Sequence, residues 1–307
     1  MNYLITGGTG FLGGHVAKLL AENGDKVFAY DNNPDEARID KLVDTEYRSN
    51  VYTIAGDITD YDATLKACKD HEIEKIIHTA GILDSKNPVI TTRVNCDGTI
   101  NVLEAARIIG VKRLVAVSSV AVFGALADYK EGYIPNDAPH MPTTLYGATK
   151  SFNERCIVHY YNTYSLDAMA VRFTHIFGAD RIRGIGAIYD AELFIKPARG
   201  ERGEVPQGEA SHNWIYVKDA ARALVIASKA AKTKSRAFTA GGDVRTVAEV
   251  ADYVRTLIPG ADITLLPGKS ELPDKFDTTQ TREDLGFVPQ WTIETAIKNL
   301  IDEVNTR

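Results

Sequence analysis

The N-terminus of the chain carries three glycines at regular intervals, immediately after a short apolar segment. The stretch reads Tyr3-Leu-Ile-Thr-Gly7-Gly-Thr-Gly10-Phe-Leu-Gly13, and helix-forming sequence follows it. A strand that runs through such a turn into a helix brings its backbone close to a pyrophosphate and points free N–H groups at it. We therefore expect Gly7, Gly10, Phe11, Leu12 and Gly13 to bind a dinucleotide. The alternative is a glycine-rich turn that serves packing alone.

Short apolar runs alternate with longer amphipathic stretches through most of the first 240 residues. This alternation is typical of βαβ units and predicts an α/β fold with a doubly wound parallel sheet, the Rossmann arrangement. The predicted helices are Gly10–Asn23, Asp60–Lys69, Thr92–Ile109 and Thr144–Tyr164. The predicted strands are Tyr3–Thr6, Lys26–Tyr30, Val51–Ala55, Lys75–Thr79, Arg113–Ser118 and Ala168–Phe173.

The pattern changes after about residue 175, where glycines, charges and prolines weaken the periodicity. We expect residues 1–175 to form the nucleotide-binding domain and residues 176–307 mainly a smaller α/β substrate domain. Helical and strand segments near 215–240 are expected to return to the first domain. In the second part, helices are predicted at Val217–Ala231, Thr246–Leu257 and Thr292–Val304, and residues 258–290 are predicted to form loops with a short strand.

The composition excludes several classes of protein. The chain has 307 residues, of which 44% are apolar and 25% charged, with a formal net charge of −6. No basic patch suits nucleic acid, and no leader or membrane-spanning stretch is evident, so we expect a cytoplasmic protein without membrane or nucleic-acid partners. The three cysteines are scattered and the seven histidines lack metal-ligand spacing, which predicts neither disulfides nor a metal site.

Two carboxylates follow the second and third predicted strands. Asp31 lies 18 residues beyond Gly13, where a carboxylate accepts hydrogen bonds from an adenosine ribose and repels a 2′-phosphate. It therefore favours NAD over NADP, unless it is a solvated loop acid. Asp57 can either reach the adenine amino group or cap the following helix. Their neighbours Asn32 and Ile58 are included in the same predicted cofactor site.

Tyr146 is the only one of the fourteen tyrosines that has a lysine four positions later, Lys150. In the predicted helix this spacing puts both side chains on one face. A phenol has a reference pKa of about 10, and a neighbouring ammonium together with a positive nicotinamide ring lowers it. Tyr146 can then take the proton of a substrate hydroxyl. The alternative is an ordinary surface pair on a helix.

Further segments occur in a characteristic order along nearly the whole chain. They are Gly56-Asp57-Ile58, His78-Thr-Ala-Gly81, Asn95-x-x-Gly-Thr99, Ser118-Ser119-Val-Ala-Val-Phe-Gly124, Arg172-Phe-Thr-His-Ile-Phe-Gly178, Trp214-Ile-Tyr-Val-Lys-Asp219 and Asp284-Leu-Gly-Phe-x-Pro289. With the glycine motif and Tyr146-x-x-x-Lys150, the chain resembles the extended short-chain dehydrogenase/reductase superfamily, in its NAD-dependent epimerase/dehydratase branch. The resemblance implies NAD as cofactor and Ser119, Tyr146 and Lys150 as the catalytic set.

The resemblance also assigns roles around that set. Lys150 would hold the nicotinamide ribose, and Ser119 would hydrogen-bond the substrate oxygen that faces Tyr146. Ala80 and Gly81 would let the backbone pass close to the cofactor, or serve packing alone, and Asn95 either contacts the cofactor or only bridges backbone. We also include Val117, Phe173 and His175 in the predicted cofactor site.

The chain departs from its relatives in the substrate region. Dehydratases of this branch carry an Asp-Glu pair where this chain has Val120 and Ala121, so a 4,6-dehydratase would lack its acid/base groups. Sugar-nucleotide epimerases usually have asparagine in place of His175 and arginine in the segment His212-Asn213-Trp214. The predicted substrate-binding residues are Ser119, His175, Arg183, His212 and Trp214. Arg181, Arg183, Arg199 and Arg202 are either substitutes for the missing arginines or exposed loop charges.

These observations favour an NAD-dependent oxidoreductase that transfers hydride between NAD and a secondary alcohol carbon. The expected substrate is a sugar, sugar acid or similar small hydroxyl compound. A nucleotide-sugar 4-epimerase that retains a transient 4-keto intermediate is the second interpretation, and a non-catalytic NAD-binding regulator is a third. The resemblance further implies a homodimer that pairs the helices predicted at Thr92–Ile109 and Thr144–Tyr164.

Overall fold

Seven parallel strands form the central sheet of the protein, and helices cover both of its faces. The structure is a computed structural model that describes residues 1–83, 86–125, 129, 132–181, 184, 186–231 and 233–306. The strands of the central sheet are β1 (Asn2–Thr6), β2 (Lys26–Asp31), β3 (Val51–Ala55), β4 (Lys75–His78), β5 (Arg113–Ser119), β6 (Ala168–Phe173) and a later strand, β10 (Ala237–Ala240). The doubly wound α/β fold class predicted from the sequence is confirmed.

The order of strands across the sheet is β10-β6-β5-β4-β1-β2-β3. The direction of winding therefore reverses between β1 and β4, which lie side by side with Thr6 opposite His78. Ligands of such sheets bind at the carboxyl ends of the strands, beside this reversal. Several predicted site residues end a strand or follow one at the carboxyl edge of the sheet: Gly7, Asp31, Ala80, Ser119 and His175.

Alternating side chains divide the sheet between two apolar cores. Tyr3 and Ile5 of β1 point to one face, where they are buried with α1 (Phe11–Glu22) and α9 (Val217–Lys229). Leu4 points to the opposite face with α3 (Tyr61–Asp70) and two longer helices, α5 (Gly98–Ile109) and α6 (Leu145–Tyr164). This period of two is the expected pattern for a strand buried on both sides.

The remaining elements complete the fold around a third core that contains Trp214, Phe194 and Leu300. The strands outside the central sheet are β7 (His175–Phe177), β8 (Gly203–Val205), β9 (Ser211–Tyr216), β11 (Asp243–Thr246) and β12 (Ile263–Leu265). The helices not yet named are α2 (Glu36–Leu42), α4 (Pro88–Thr92), α7 (Ala187–Tyr189), α8 (Lys196–Ala198), α10 (Val247–Leu257), α11 (Thr279–Leu285) and α12 (Ile293–Asn305).

Several boundaries differ from the predictions. The helix expected from Thr92 begins earlier, at Pro88, because Asn87 caps it and a π-helical stretch, Arg93–Asp97, joins it to α5. Residues 258–290 contain the expected short strand but also α11, which ends at Gly286 in the left-handed region with φ +70°. In the described ranges no helix is long and apolar enough to cross a membrane.

Candidate active site

The glycine turn between β1 and α1 is built by contacts that leave no room for side chains. Gly7 adopts φ +67°, and a Cβ there would lie 2.9 Å from the backbone nitrogen of Ala80. A Cβ on Gly13 would lie 2.1 Å from the carbonyl oxygen of Gly7. Gly10 caps α1 without a side-chain hydrogen bond, so no capping side chain covers the amides of the first turn. This cradle fits the pyrophosphate of a dinucleotide.

The first turn of α1 also packs against the second part of the chain. A Cβ on Gly178 would lie 3.0 Å from Cζ of Phe11, and Leu12 contacts two of the apolar cores. The side chains of both residues therefore contact protein, so Phe11 and Leu12 can meet a pyrophosphate only through their backbone amides.

Asp31 ends β2 beside the glycine turn. Its carboxylate accepts hydrogen bonds from the backbone nitrogen and the hydroxyl of Thr9, at 3.3 and 2.9 Å, and from the backbone nitrogen of Asn33 at 3.2 Å. These contacts fix the Asp31 carboxylate at the carboxyl edge of the sheet. Its contact with an adenosine ribose stays a prediction. Asn32, beside it, is exposed.

Asp57 is not the cap of the following helix. The cap is Asp60, whose carboxylate accepts from the nitrogen of Ala63, whereas Asp57 accepts from the nitrogen of Thr59 at 2.8 Å. The capping interpretation of Asp57 was therefore wrong, and its exposed side chain stays available after the third strand. Ile58 is buried, and a Cβ on Gly98 would lie 2.6 Å from its Cδ1.

Asn95 ties the segment after β4 to α6. Its Nδ2 donates to the carbonyl of Ile82 at 2.9 Å and to Oγ1 of Thr149 at 3.1 Å, and its Oδ1 accepts from the nitrogen of Ile82 at 2.8 Å. These bonds favour the backbone-bridging interpretation of Asn95. Gly81 lies in the same segment, and a Cβ there would lie 3.5 Å from Nζ of Lys150.

Tyr146 and Lys150 lie on the first turns of α6, which Thr144 caps. Lys150 is 3% exposed, its Nζ donates to the carbonyl of Val117 at 2.8 Å and it lies 5.7 Å from the centre of the Tyr146 ring. Ser119 ends β5 and hydrogen-bonds the Tyr146 hydroxyl. The structure thus brings together Tyr146 and Lys150, which the helix spacing put on one face, and Ser119, which the family resemblance added.

Burial changes the acidity of both groups on α6. Desolvation raises the pKa of Tyr146 to about 12, although the hydrogen bond with Ser119 and the charge of Arg181 act to lower it. Desolvation lowers the pKa of Lys150 to about 8, opposed by the negative charge of Glu154. In the protein alone, burial outweighs the nearby positive charges. The expected lowering of the Tyr146 pKa includes the charge of the nicotinamide ring and stays a prediction for the complex with NAD.

Sequence reasoning missed a buried ion pair behind this set. Glu154, one turn after Lys150, accepts from Nε and Nη2 of Arg172 on β6 at 2.8 and 2.6 Å. Ser118 also donates to Glu154, at 2.5 Å. The available signal was the i, i+4 spacing of Lys150 and Glu154, which puts the carboxylate on the buried face of α6.

The predicted substrate residues separate into different environments. His175 and His212 stack with ring centres 5.1 Å apart, and Tyr189, which the sequence did not single out, contacts both rings edge-on. Trp214 is 2% exposed and its Nε1 donates to the carbonyl of Arg245 at 3.0 Å, so it forms the wall behind the histidines. Phe173 is also core, 2% exposed.

The four arginines of this region also differ from one another. Arg181 is partly buried and acts electrostatically on Tyr146, whereas Arg199 and Arg202 are exposed. Arg202 pairs with Glu204 at 3.1 Å. The prediction for Arg183 lies outside the described residues. Within those residues, no group of three or more His, Cys, Asp or Glu side chains is arranged to hold a metal ion.

Comparisons with known proteins find similar proteins along nearly the whole chain. The family model of the NAD dependent epimerase/dehydratase family matches residues 3–241. A protein named putative UDP-glucose 4-epimerase from Methanocaldococcus jannaschii is 27% identical, with 97% of each chain covered. Among solved structures, a Thermus thermophilus UDP-glucose 4-epimerase in complex with NAD has a TM-score of 0.86 at 22% identity, covering 99% of both chains. A partial consensus L-threonine 3-dehydrogenase has a TM-score of 0.89 at 23% identity, covering 100% of both chains.

The family match extends over more than half of the chain, from the glycine turn to the end of β10. It confirms the resemblance inferred from the motifs and NAD as the cofactor. The chain belongs to the NAD-dependent epimerase/dehydratase family and is an NAD-dependent enzyme of the extended short-chain dehydrogenase/reductase type.

Proposed function

We propose that the protein is a dehydrogenase that oxidises a secondary alcohol carbon of a small hydroxyl compound, a sugar or sugar acid included. The observation that carries this proposal is the convergence of Tyr146, Ser119 and Lys150 at the carboxyl end of β5. The candidate substrate region contains the stacked rings of His175 and His212 and one partly buried cation, Arg181, whereas Arg199 and Arg202 are exposed to solvent. Such a region suits a small substrate better than a nucleotide diphosphate, which needs several cations.

The cofactor would be held by the groups already described. The amides at the start of α1 would bind its pyrophosphate, Asp31 its adenosine ribose and Lys150 its nicotinamide ribose. When bound, NAD supplies the acceptor for the hydride that leaves the substrate carbon. Asp31 also disfavours a 2′-phosphate by charge repulsion, which makes NADP the weaker cofactor.

Residues of the chain itself accept the proton that the substrate hydroxyl loses. In its phenolate form, which the positive charge of a bound nicotinamide ring would favour, Tyr146 takes the proton of the substrate hydroxyl. Ser119 hydrogen-bonds the same oxygen as it becomes a carbonyl. The charge of Arg181 lowers the pKa of Tyr146 against the larger effect of burial and so assists this transfer. Lys150 is anchored to the carbonyl of Val117 and supplies positive charge beside the phenol when it is protonated.

A nucleotide-sugar 4-epimerase is the second candidate. The relative from Methanocaldococcus jannaschii, named a putative UDP-glucose 4-epimerase, favours it because both chains are covered almost completely. The two reactions share the first oxidation. They differ in whether the ketone leaves the site or turns over and takes the hydride back on its other face.

Cofactor retention and product formation distinguish the two reactions. We would denature freshly purified protein, measure the NAD(H) it releases, and then assay sugars, sugar acids and small alcohols for NADH absorbance. We expect an empty protein that binds added NAD reversibly and forms NADH with one of these compounds. Near-stoichiometric retained NAD(H), with interconversion of UDP-glucose and UDP-galactose and no net NADH, would overturn the dehydrogenase in favour of the epimerase.

We also propose a homodimer that pairs α5 and α6 with the same helices of a second copy. Exposed apolar side chains on these helices support it: Ile108 is 46% exposed, Phe152 41% and Tyr164 49%. Covering them would remove apolar surface from water. Light scattering coupled to size-exclusion chromatography should give the dimer mass, and Phe152→Glu should shift it toward the monomer. A monomeric mass for the unmodified protein would contradict this proposal.

A further inference from the structure

Two histidines in the substrate region keep unpartnered ring nitrogens away from solvent. The Nε2 atoms of His175 and His212 are both buried, and neither has a hydrogen-bond partner among the described residues. The two imidazole rings stack on each other with an interplanar angle of 24°. The rings of Tyr189 and Trp214 contact His175 edge-on. A buried polar atom without a hydrogen-bond partner is unfavourable. Both Nε2 atoms are therefore available to hydrogen-bond a bound ligand.

Burial disfavours the charged, protonated form of both imidazoles. Desolvation lowers the pKa of His175 well below its ordinary value, and the charges of Arg181 and His212 act in the same direction. Desolvation also lowers the pKa of His212, against the opposing charge of Asp274. A neutral imidazole can still donate one N–H to an acceptor without bringing a second charge into the pocket.

Arg181 lies close enough to His175 and Tyr146 for its positive charge to act on both side chains. Its guanidinium donates from Nη1 to the carbonyl of Ile176. Across the described ranges, no carboxylate lies within 4.0 Å of its nitrogens. Desolvation lowers its pKa, opposed by the charges of Asp190 and Tyr146. The partly buried guanidinium of Arg181 has five N–H donors and few protein acceptors around them, which favours an anionic partner.

The backbone around Arg181 is shaped to hold the guanidinium. A Cβ on Gly186 would lie 2.1 Å from its Nη1, so a side chain at that position would displace it. Asp190, the nearby acid, is fully buried, and its Oδ1 accepts from the nitrogen of Gly178 at 3.4 Å. Desolvation raises the pKa of Asp190 well above its ordinary value, so this carboxyl is a weak counter-ion for Arg181.

We propose that Arg181, His175 and His212 form a carboxylate-binding site, and that the substrate is a small hydroxycarboxylate. This inference rests on the proposed function, since it places the reacting hydroxyl at Tyr146. One guanidinium and two neutral N–H donors match the charge and the planar shape of a single carboxylate. A nucleotide diphosphate carries more negative charge than one guanidinium balances.

Matched pairs of compounds test the inference on the unmodified enzyme with NAD. The pairs are D-galacturonate with D-galactose, and 3-hydroxybutyrate with 1,3-butanediol, each acid set against a neutral counterpart. NADH formation gives kcat/KM, and titration calorimetry measures binding of the same compounds. We expect the acid of at least one pair to exceed its neutral counterpart by tenfold or more in kcat/KM, because charge-assisted hydrogen bonds are made only with the carboxylate.

Variants then assign the preference to these residues. Arg181→Gln should raise KM for the acid about tenfold to hundredfold and leave KM for the neutral counterpart nearly unchanged. It should lower kcat for both compounds, because the charge that assists Tyr146 is lost. His175→Asn and His212→Asn should each raise the same KM with smaller effects on kcat. Arg199→Gln is the control, because Arg199 is exposed, and thermal unfolding reports whether each variant folds.

The outcomes separate this inference from the proposed function. Equal turnover of the acids and their neutral counterparts would overturn the carboxylate site and leave the dehydrogenase intact. Carboxylate binding that Arg181→Gln abolishes, without NADH formation from any compound, would support the site and overturn the dehydrogenase. A preference for the acids that survives Arg181→Gln in a folded variant would overturn the assignment to Arg181.

Discussion

The carboxylate of Glu154 on α6 lies against the guanidinium of Arg172 on β6, with 2.6 Å between Oε2 and Nη2. Both side chains are almost fully buried, 5% and 6% exposed. Ser118, next to Ser119, donates to the same carboxylate, and Nε2 of His140 lies 3.2 Å from Nη2 of Arg172. The pair therefore joins the helix that carries Tyr146 and Lys150 to the ends of β5 and β6.

Removal of one partner from this pair should destabilise the protein strongly. We expect Arg172→Met to lower the free energy of unfolding by about 3–5 kcal/mol, because it leaves the Glu154 carboxylate buried without a cation. The double variant Glu154→Leu/Arg172→Met should lose less than the sum of its single variants. Urea unfolding of the unmodified protein, Glu154→Leu, Arg172→Met and the double variant measures the coupling free energy of the two side chains. Arg202→Met, which removes an exposed pair, should change stability by less than about 1 kcal/mol.

Gly13 and Gly14 are adjacent glycines of α1 with different neighbours. A Cβ on Gly13 would meet the backbone oxygen of Gly7, whereas one on Gly14 would meet Cδ1 of the Leu42 side chain at 2.8 Å, which can move. Gly13→Ala should therefore distort the glycine turn and weaken NAD binding by tenfold or more, while Gly14→Ala should bind NAD nearly as the unmodified protein does. Titration calorimetry with NAD compares them. Equal weakening by both would contradict a specific role for the close approach at Gly13.

Tyr146→Phe removes one hydroxyl from the proposed proton acceptor and keeps the ring. We expect the rate of hydride transfer to fall about 10²–10⁴-fold with little change in NAD affinity. Tyr164→Phe, at the exposed end of the same helix, is the matched control and should retain activity. Unchanged turnover in Tyr146→Phe would favour the interpretation as a non-catalytic NAD-binding protein.

Lys150→Met should change the pH dependence of stability in a defined direction. In the folded protein the pKa of Lys150 falls from its ordinary value of 10.5 to about 8 because the amine is buried. Below pH 8 both states carry the proton, and the folded state bears the full penalty of the buried charge. Between pH 8 and 10.5 only the unfolded state keeps the proton, so the unmodified protein gains stability as pH rises.

Relative to Lys150→Met, that gain should reach about 3 kcal/mol across the window. Urea unfolding of the protein without NAD at several pH values measures it. A constant difference between the two proteins from about pH 7 to about pH 10 would show that the amine is not held in a desolvated site.

Residue spacing alone could predict much of the nucleotide-binding half. The glycines, the alternating apolar runs and the pair Tyr146 and Lys150 are local signals, because neighbours in sequence determine the turn, the strand or the helix face. Asn95 could be recognised only partly, since its partners Ile82 and Thr149 meet through the fold. The helix spacing does not determine how deeply Tyr146 is buried, so the raised pKa of this residue in the protein alone could not be predicted from it.

The substrate region was less predictable for a physical reason. His175 and His212 are 37 positions apart in sequence, and their stacking arises from the parallel pairing of β7 with β9, which sets His175 opposite Trp214. The helical segment that supplies Tyr189 and Asp190 includes a π-helical turn, whose wider spacing hides the usual periodicity. Glu154 was missed because a charged residue on a helix is more often solvated than buried.

The position of β10 determines how the chain can be divided. This strand pairs with β6 at the edge of the central sheet, after the chain has built β7, β8 and β9 elsewhere. A fragment that ended at residue 175 would expose β6, whose residues are all buried in the intact protein, as an open edge able to pair with other molecules. It would also lose α9 from the face of α1, so the aggregation resistance of the nucleotide-binding half depends on sequence that follows the substrate residues.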